Sequence, residues 1–165
     1  MRVLILSDTH IPHRAEQLPK EVTDEILNCD AILHAGDFTS LSFYQNLQLL
    51  KKPVYAVRGN MDDDDLYSLL PETLVFSLEG LKIGLYHGIG APWGIEKKVL
   101  EKFSESKDLN LIIFGHSHKP MKKEEKGIIL FNPGSPTDTI FAPRRSYGIL
   151  EVKEGKILNL SHVFL

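Results

Sequence analysis

The feature that most constrains this chain is a repeated pairing of a short apolar run with a polar, glycine-rich turn. Val3-Leu4-Ile5-Leu6 passes straight into Ser7-Asp8-Thr9-His10, and Ala31-Ile32-Leu33-His34 ends in Ala35-Gly36-Asp37. Pro53–Val57 leads to Gly59-Asn60, Leu81–Tyr86 to His87-Gly88, and Leu109–Phe114 to Gly115-His116-Ser117-His118. The first runs are continuously apolar rather than alternating, which marks strands buried on both faces. Between them lie two helical patterns. Lys20–Cys29 follows Pro19 and puts Val22, Ile26 and Leu27 on one face; Leu41–Leu50 follows a capping Ser40 and repeats Phe43, Leu47 and Leu50. A β-α-β-α-β order implies parallel pairing with right-handed crossovers, and in such sheets functional groups gather beyond the carboxyl ends of the strands.

Beyond Asn60 comes Asp62-Asp63-Asp64-Asp65, whose last member is expected to cap a short helical turn over Leu66–Leu70. Thr73–Leu78 and Leu81–Tyr86 flank Glu79-Gly80 as a hairpin, and Gly94–Ser106 is amphipathic through Ile95, Val99 and Phe103. The remainder is β-rich, with turns at Lys126-Gly127, Asn132-Pro133-Gly134-Ser135 and Glu154-Gly155. Without a linker, repeat or low-complexity stretch, residues 1–165 read as one domain. Early crossovers and late hairpins predict an α/β fold, a four-layer α/β/β/α sandwich of two mixed sheets flanked by helices.

A formal net charge of −3 gives no electrostatic reason to expect long nucleic acid as a partner, while leaving room for small phosphorylated substrates. The single cysteine, Cys29, excludes an internal disulfide and fits a reducing compartment. The apolar run after Arg2 breaks well short of the ~7–15 residues of an export signal. No stretch approaches the ~18 apolar residues of a membrane span. The expectation is a cytoplasmic protein with no membrane partner.

The polar turns share one chemistry. Asp8, His10, Asp37, Asn60, His87, His116 and His118 are hard or borderline donors without a thiolate, a set suited to Mn²⁺, Fe²⁺, Co²⁺, Ni²⁺ or Zn²⁺. Seven donors exceed one tetrahedral shell. With one carboxylate bridging, they suit two ions about 3.5–4 Å apart. Neighbouring glycines (Gly36, Gly59, Gly88, Gly115) leave room beside such ions. Any one of these pieces is commonplace; five in order, each at a strand end, are not.

Together, Asp8-x-His10, Gly36-Asp37, Gly59-Asn60, His87-Gly88 and Gly115-His116-x-His118 resemble the signature of the calcineurin-like metallophosphoesterase superfamily. The short length, Asn132-Pro133-Gly134-Ser135 and the late hairpin resemble its small prokaryotic phosphodiesterase branch. The resemblance implies that Asp8, His10, Asp37 and His118 hold one ion, and that Asp37 bridges to a second held with Asn60, His87 and His116. It implies a phosphodiesterase with two divalent ions, Mn²⁺ foremost, hydrolysing small phosphodiesters through a bridging hydroxide, Asp37 and Asn60 acting at the reacting group. The alternatives are a phosphomonoesterase, a cyclic-nucleotide enzyme or a nuclease on the same site, or a scaffold resembling the retromer subunit of this fold. Retention of every ligand position favours catalysis.

One departure matters. Much of the superfamily carries Gly-Asn-His at the third motif, with the histidine as proton donor; here it is Gly59-Asn60-Met61-Asp62. Met61 transfers no proton, so substrates with good leaving groups are expected, with Asp62 or His13 as substitute acids. The aspartate run reads first as a solvated loop and second as a negative rim that penalises dianions. Arg144 and Arg145 are candidate phosphate contacts or a surface pair; Ser135 touches substrate or caps its turn. His34 and His162 read as structural, and Trp93 as core or cavity entrance. A homo-oligomer is left open.

Overall fold

The computed structural model describes residues 1–165 and contains two five-stranded mixed sheets packed face to face. The first has the order β10-β9-β1-β2-β3, from β1 (Arg2–Leu6), β2 (Ala31–His34), β3 (Val54–Ala56), β9 (Ser146–Lys153) and β10 (Lys156–Phe164). The second has the order β4-β5-β6-β8-β7, from β4 (Thr73–Leu78), β5 (Leu81–Tyr86), β6 (Leu111–Phe114), β7 (Met121–Glu125) and β8 (Ile128–Asn132). β1, β2 and β3 are parallel, as are β5, β6 and β8, while β9 runs antiparallel beside β1.

Side-chain alternation sorts the apolar residues into layers. Val3 and Ile5 of β1 face Ile83, Leu85, Leu111 and Ile113 of the other sheet across the central core. Leu4 and Leu6 point the opposite way, toward Val22 and Ile26 of α1 (Lys20–Asn28) and Phe43 and Leu47 of α2 (Leu41–Gln48). On the far side, Ile112 and Phe114 pack under Ile95 and Val99 of α4 (Ile95–Lys102). This is the expected α/β/β/α sandwich, and it explains why β1 is apolar at every position from Val3 to Leu6.

Local expectations hold with shifted ends. Ser40 caps α2 by accepting from the Phe43 N–H. Cys29 ends α1 as a buried residue, and burial pushes its thiol pKa up. The aspartate run departs from expectation: α3 (Asp64–Leu69) starts two residues early, capped by Asp63 rather than Asp65 through the Leu66 N–H. A second bond from the Leu41 N–H ties Asp63 to the start of α2. α4 is shorter than its pattern, running into turns after Lys102. No helix is long and apolar enough to cross a membrane.

Candidate metal centre

The donor-bearing loops leave β1, β2, β3, β5 and β6 at their carboxyl ends, all on one edge of the sandwich. They brace one another. The Asp8 N–H donates to Gly36 O at 3.0 Å, the Gly115 N–H to His87 O at 3.1 Å, and the His116 N–H to Asp8 Oδ2 at 3.0 Å. Asp8, His10, Asp37, His116 and His118 have φ of 54, 45, 58, 68 and 55°, the left-handed region that non-glycine residues rarely adopt. Such conformations cost about 1–3 kcal/mol each and persist where surrounding structure enforces them. Here they turn five side chains inward at one point. Space is limiting: a Cβ on Gly59 would collide with Asp37, and one on Gly115 with Ser7 Oγ.

The donor atoms form two overlapping groups, Asp8–His10–His118 and Asp8–Asp37–His87, all buried. His118 Nε2 lies 3.3 Å from Asp8 Oδ1 and 3.3 Å from His10 Nε2. Asp37 Oδ2 lies 3.6 Å from His10 Nε2 and 3.3 Å from His87 Nε2. Ligands about 2.1 Å from one ion stand about 3.0–3.4 Å apart, so these spacings are those of a coordination shell.

The outer ring nitrogens give a second test. His87 Nδ1 is 2.8 Å from Ala35 O and His116 Nε2 is 2.6 Å from Gly90 O, so each donates a hydrogen there. In the neutral rings, the form a metal requires, the inner nitrogens carry lone pairs, and both converge on Asn60 Oδ1, at 3.2 and 2.9 Å, which is also an acceptor. His118 Nδ1 binds Asp138, and His10 Nδ1 lies 3.4 Å from Thr39 Oγ1. Anchored outer nitrogens and converging inner lone pairs are how proteins present imidazoles to a metal. The residues present fit a divalent cation.

The electrostatics agree. Burial lowers the His87 pKa, but Asp37 and Asp8 outweigh it and raise it to about 9. Burial likewise opposes charge on His118 and on Asp8. Asp8 and Asp138 overcome this for His118, raising it, and His118, His87 and Ser7 do so for Asp8, lowering it. The two carboxylates thus attract positive charge strongly. His34 is different: burial drops its pKa to about 3. Its Nδ1 accepts from the Gly36 N–H at 3.2 Å, so its Nε2–H donates to Thr9 Oγ1 at 3.0 Å. It is a neutral strut beneath the site, as expected, and His162 is likewise structural, bonded to Asn132 O.

A cavity of about 610 Å³ opens over the donors. His10, Asp37, Asn60, His116 and His118 line its floor, and Met61, Trp93, Ile140 and Phe141 stand exposed at its mouth. Trp93 is therefore entrance, not core. Four expected site residues lie elsewhere. Asp62 accepts from the Thr39 and Gly59 N–H groups at 2.8 and 2.7 Å, so both carboxylate oxygens brace the Asn60 loop rather than face the cavity. Ser135 is buried beneath, donating to Asp8 O at 2.7 Å. Arg144 stacks on Phe164 near the C-terminus, and neither it nor Arg145 lines the cavity. None of Asp62–Asp65 lines it either, so there is no negative rim. The cationic residues at the mouth are instead Arg14 and Lys119, with His13 beside them.

The comparisons fall where this geometry points. The chain belongs to the calcineurin-like phosphoesterase superfamily, whose domain description matches residues 1–155. A probable metallophosphoesterase of Methanothermobacter thermautotrophicus is 38% identical over 138 residues, spanning 83% of this chain and 78% of that protein. The solution structure of Thermotoga maritima protein TM1076 is 34% identical with a TM-score of 0.76, over 99% of each chain. Vps29 of Entamoeba histolytica, crystallised with Zn²⁺, is 28% identical with a TM-score of 0.78, over 100% of this chain and 98% of that one. The protein is a metal-dependent phosphoesterase, from a family that uses divalent ions.

Proposed function

We propose that the protein hydrolyses small phosphodiesters at a centre of two divalent transition-metal ions. Mn²⁺ is the expected occupant, and Ni²⁺, Fe²⁺, Co²⁺ or Zn²⁺ can substitute. The observation that carries this is Asp37 Oδ2, placed between His10 Nε2 at 3.6 Å and His87 Nε2 at 3.3 Å, where one carboxylate can serve both shells. Asp8, His10 and His118 complete the first shell; Asn60, His87 and His116 complete the second. Asp8 Oδ1 is also 3.8 Å from His87 Nε2, so it stands close to both.

When bound, the ions supply Lewis acidity, bringing a water's pKa toward about 7 and offsetting charge on the phosphoryl oxygens. The chain does the positioning. Asn60 directs Oδ1 toward His87 and His116, which leaves its amide N–H groups for a phosphoryl oxygen. The Met61 N–H donates to Asp37 Oδ1 at 2.8 Å, holding that carboxylate in place, while its thioether offers no proton to a leaving group. Good leaving groups are therefore favoured. The apolar mouth of Met61, Trp93, Ile140 and Phe141 gives a second ester arm a surface to rest on, which supports a diester over a monoester. The lone buried thiol of Cys29 supports a reducing, cytoplasmic setting as part of the proposal.

The test is hydrolysis of bis(p-nitrophenyl) phosphate and p-nitrophenyl phosphate with Mn²⁺ added. The expected result is a kcat/KM for the diester at least tenfold above the monoester, on the order of 1.4 kcal/mol in transition-state binding. Faster monoester turnover overturns the diester assignment. No turnover with any divalent ion favours a binding role, with which the likeness to Vps29 is compatible.

A further inference from the structure

The mouth of the cavity carries positive charge with no partner inside it. Its only lining carboxylate is Asp37, which the donor cluster claims, while Arg14 and Lys119 face the same space. Arg14 is held in place. Its backbone N–H donates to His10 O at 2.7 Å, its guanidinium carbon lies 5.1 Å from the Phe141 ring centre, and its Nη1 lies 3.8 Å from Asp138 Oδ1. At that distance the carboxylate steers the cation without accepting a hydrogen bond. Asp138 spends its oxygens on His118 and on the Ile140 and Phe141 N–H groups. No guanidinium N–H of Arg14 and no ammonium N–H of Lys119 donates within the chain, so a seated fork of donors is left open toward the cavity.

Its ligand is not the scissile phosphate. Phe141 neighbours both residues, its ring centre 6.2 Å from that of His118 and 5.1 Å from the Arg14 guanidinium carbon. Asp138 binds the outer nitrogen of His118, and Arg14 Nη1 lies 3.8 Å from that carboxylate, so the guanidinium lies one side chain beyond the donor cluster. We propose that Arg14, assisted by Lys119, grips a terminal phosphate carried by the substrate in addition to its scissile diester. Arginine suits this because its planar fork meets phosphate oxygens two at a time. The substrate class is thus a small phosphodiester bearing a phosphomonoester at its other end. This rests on the phosphodiesterase reading, and a binding measurement separates the two.

Two pairs of compounds provide the test on Mn²⁺-loaded protein. Thymidine 5′-phosphate and thymidine 3′,5′-bisphosphate are compared by calorimetry. Thymidine 5′-(p-nitrophenyl phosphate) with and without a 3′-phosphate is compared by nitrophenol release. The bisphosphate is expected to bind at least about tenfold tighter, and the 3′-phosphorylated diester to show a KM lower by a similar factor. In Arg14→Ala both ratios fall to within about twofold of one, and in Arg14→Lys, which keeps charge but loses the fork, they fall partway. Phe141→Leu, which unseats the guanidinium, lowers them at least about threefold and serves if Arg14→Ala does not fold. Equal binding of the two nucleotides by wild type, or a preference that survives in Arg14→Ala, overturns the assignment. An Arg14-dependent binding preference without diester turnover leaves Arg14 in place and removes the phosphodiesterase reading instead.

Discussion

Asp138 accepts the Nδ1 hydrogen of His118 and thereby decides which nitrogen of that imidazole faces the donor cluster. The ring's Nε2 is left 3.3 Å from Asp8 Oδ1. Burial opposes the charge on Asp138, yet the Ile140 N–H, His118 and the Phe141 N–H outweigh it and hold the carboxyl below its usual range. A carboxylate behind a ligand histidine typically contributes about 10–100-fold to metal affinity or activity. Asp138→Ala is therefore expected to weaken Mn²⁺ binding by that factor while the far-ultraviolet circular dichroism is unchanged. Wild-type affinity by calorimetry would contradict the role.

Asp37 and His116 are expected to be indispensable for different reasons. Asp37 stands between two imidazoles, and His116 is aimed by Gly90 O. Asp37→Ala and His116→Ala should each abolish phosphodiester turnover with the protein still folded. Activity near that of wild type in either variant would remove that residue from the centre.

Gly115 is expected to be sterically locked. An added methyl would collide with Ser7 Oγ and stand 2.7 Å from Asp8 Oδ2. The backbone cannot retreat, because its N–H donates to His87 O and its carbonyl accepts from Asn132 Nδ2 at 2.8 Å. Gly115→Ala should lower stability by about 1–3 kcal/mol in urea denaturation, the usual cost of overpacking. A variant as stable as wild type would show that the loop yields.

His34 sets a pH dependence of stability. Its folded pKa, about 3, lies below the unfolded value of 6.5, so below pH 6.5 the unfolded chain binds a proton that the folded chain refuses. Stability from this group is complete above pH 6.5 and falls as the pH drops, by up to about 1.4 kcal/mol per unit. Protonation would also set an Nδ1–H against the Gly36 N–H. Between pH 7 and pH 5, His34→Asn should lose up to about 2 kcal/mol less unfolding free energy than wild type. Equal losses in the two proteins would assign the acid sensitivity elsewhere.

The layers and most of the donor cluster were legible in the sequence for a physical reason. Strands buried on both faces must be continuously apolar, and polar groups following them must lie at a sheet edge, so Asp8, Asp37, Asn60, His87 and His116 could be placed together before their contacts were known. The outer residues were not legible. Ser135 and Arg144 have suitable chemistry, but one points under Asp8 and the other toward Phe164. Asp138 reaches the site through His118, 20 residues away, and Arg14 lies beside Asp138, and no spacing rule announces either. Among four equal aspartates, the cap of α3 is Asp63 because its side chain also reaches the Leu41 N–H of α2. Left-handed backbone at five donors carries no signature in residue type.

The central claim is that Asp37 joins two ions. It is tested most directly by the anomalous difference density of crystals grown or soaked with Mn²⁺. The account predicts two peaks about 3.5–4 Å apart flanking the Asp37 carboxylate, one against His10 and His118 and the other against His87, His116 and Asn60. A single peak, or two that do not share Asp37, would contradict it.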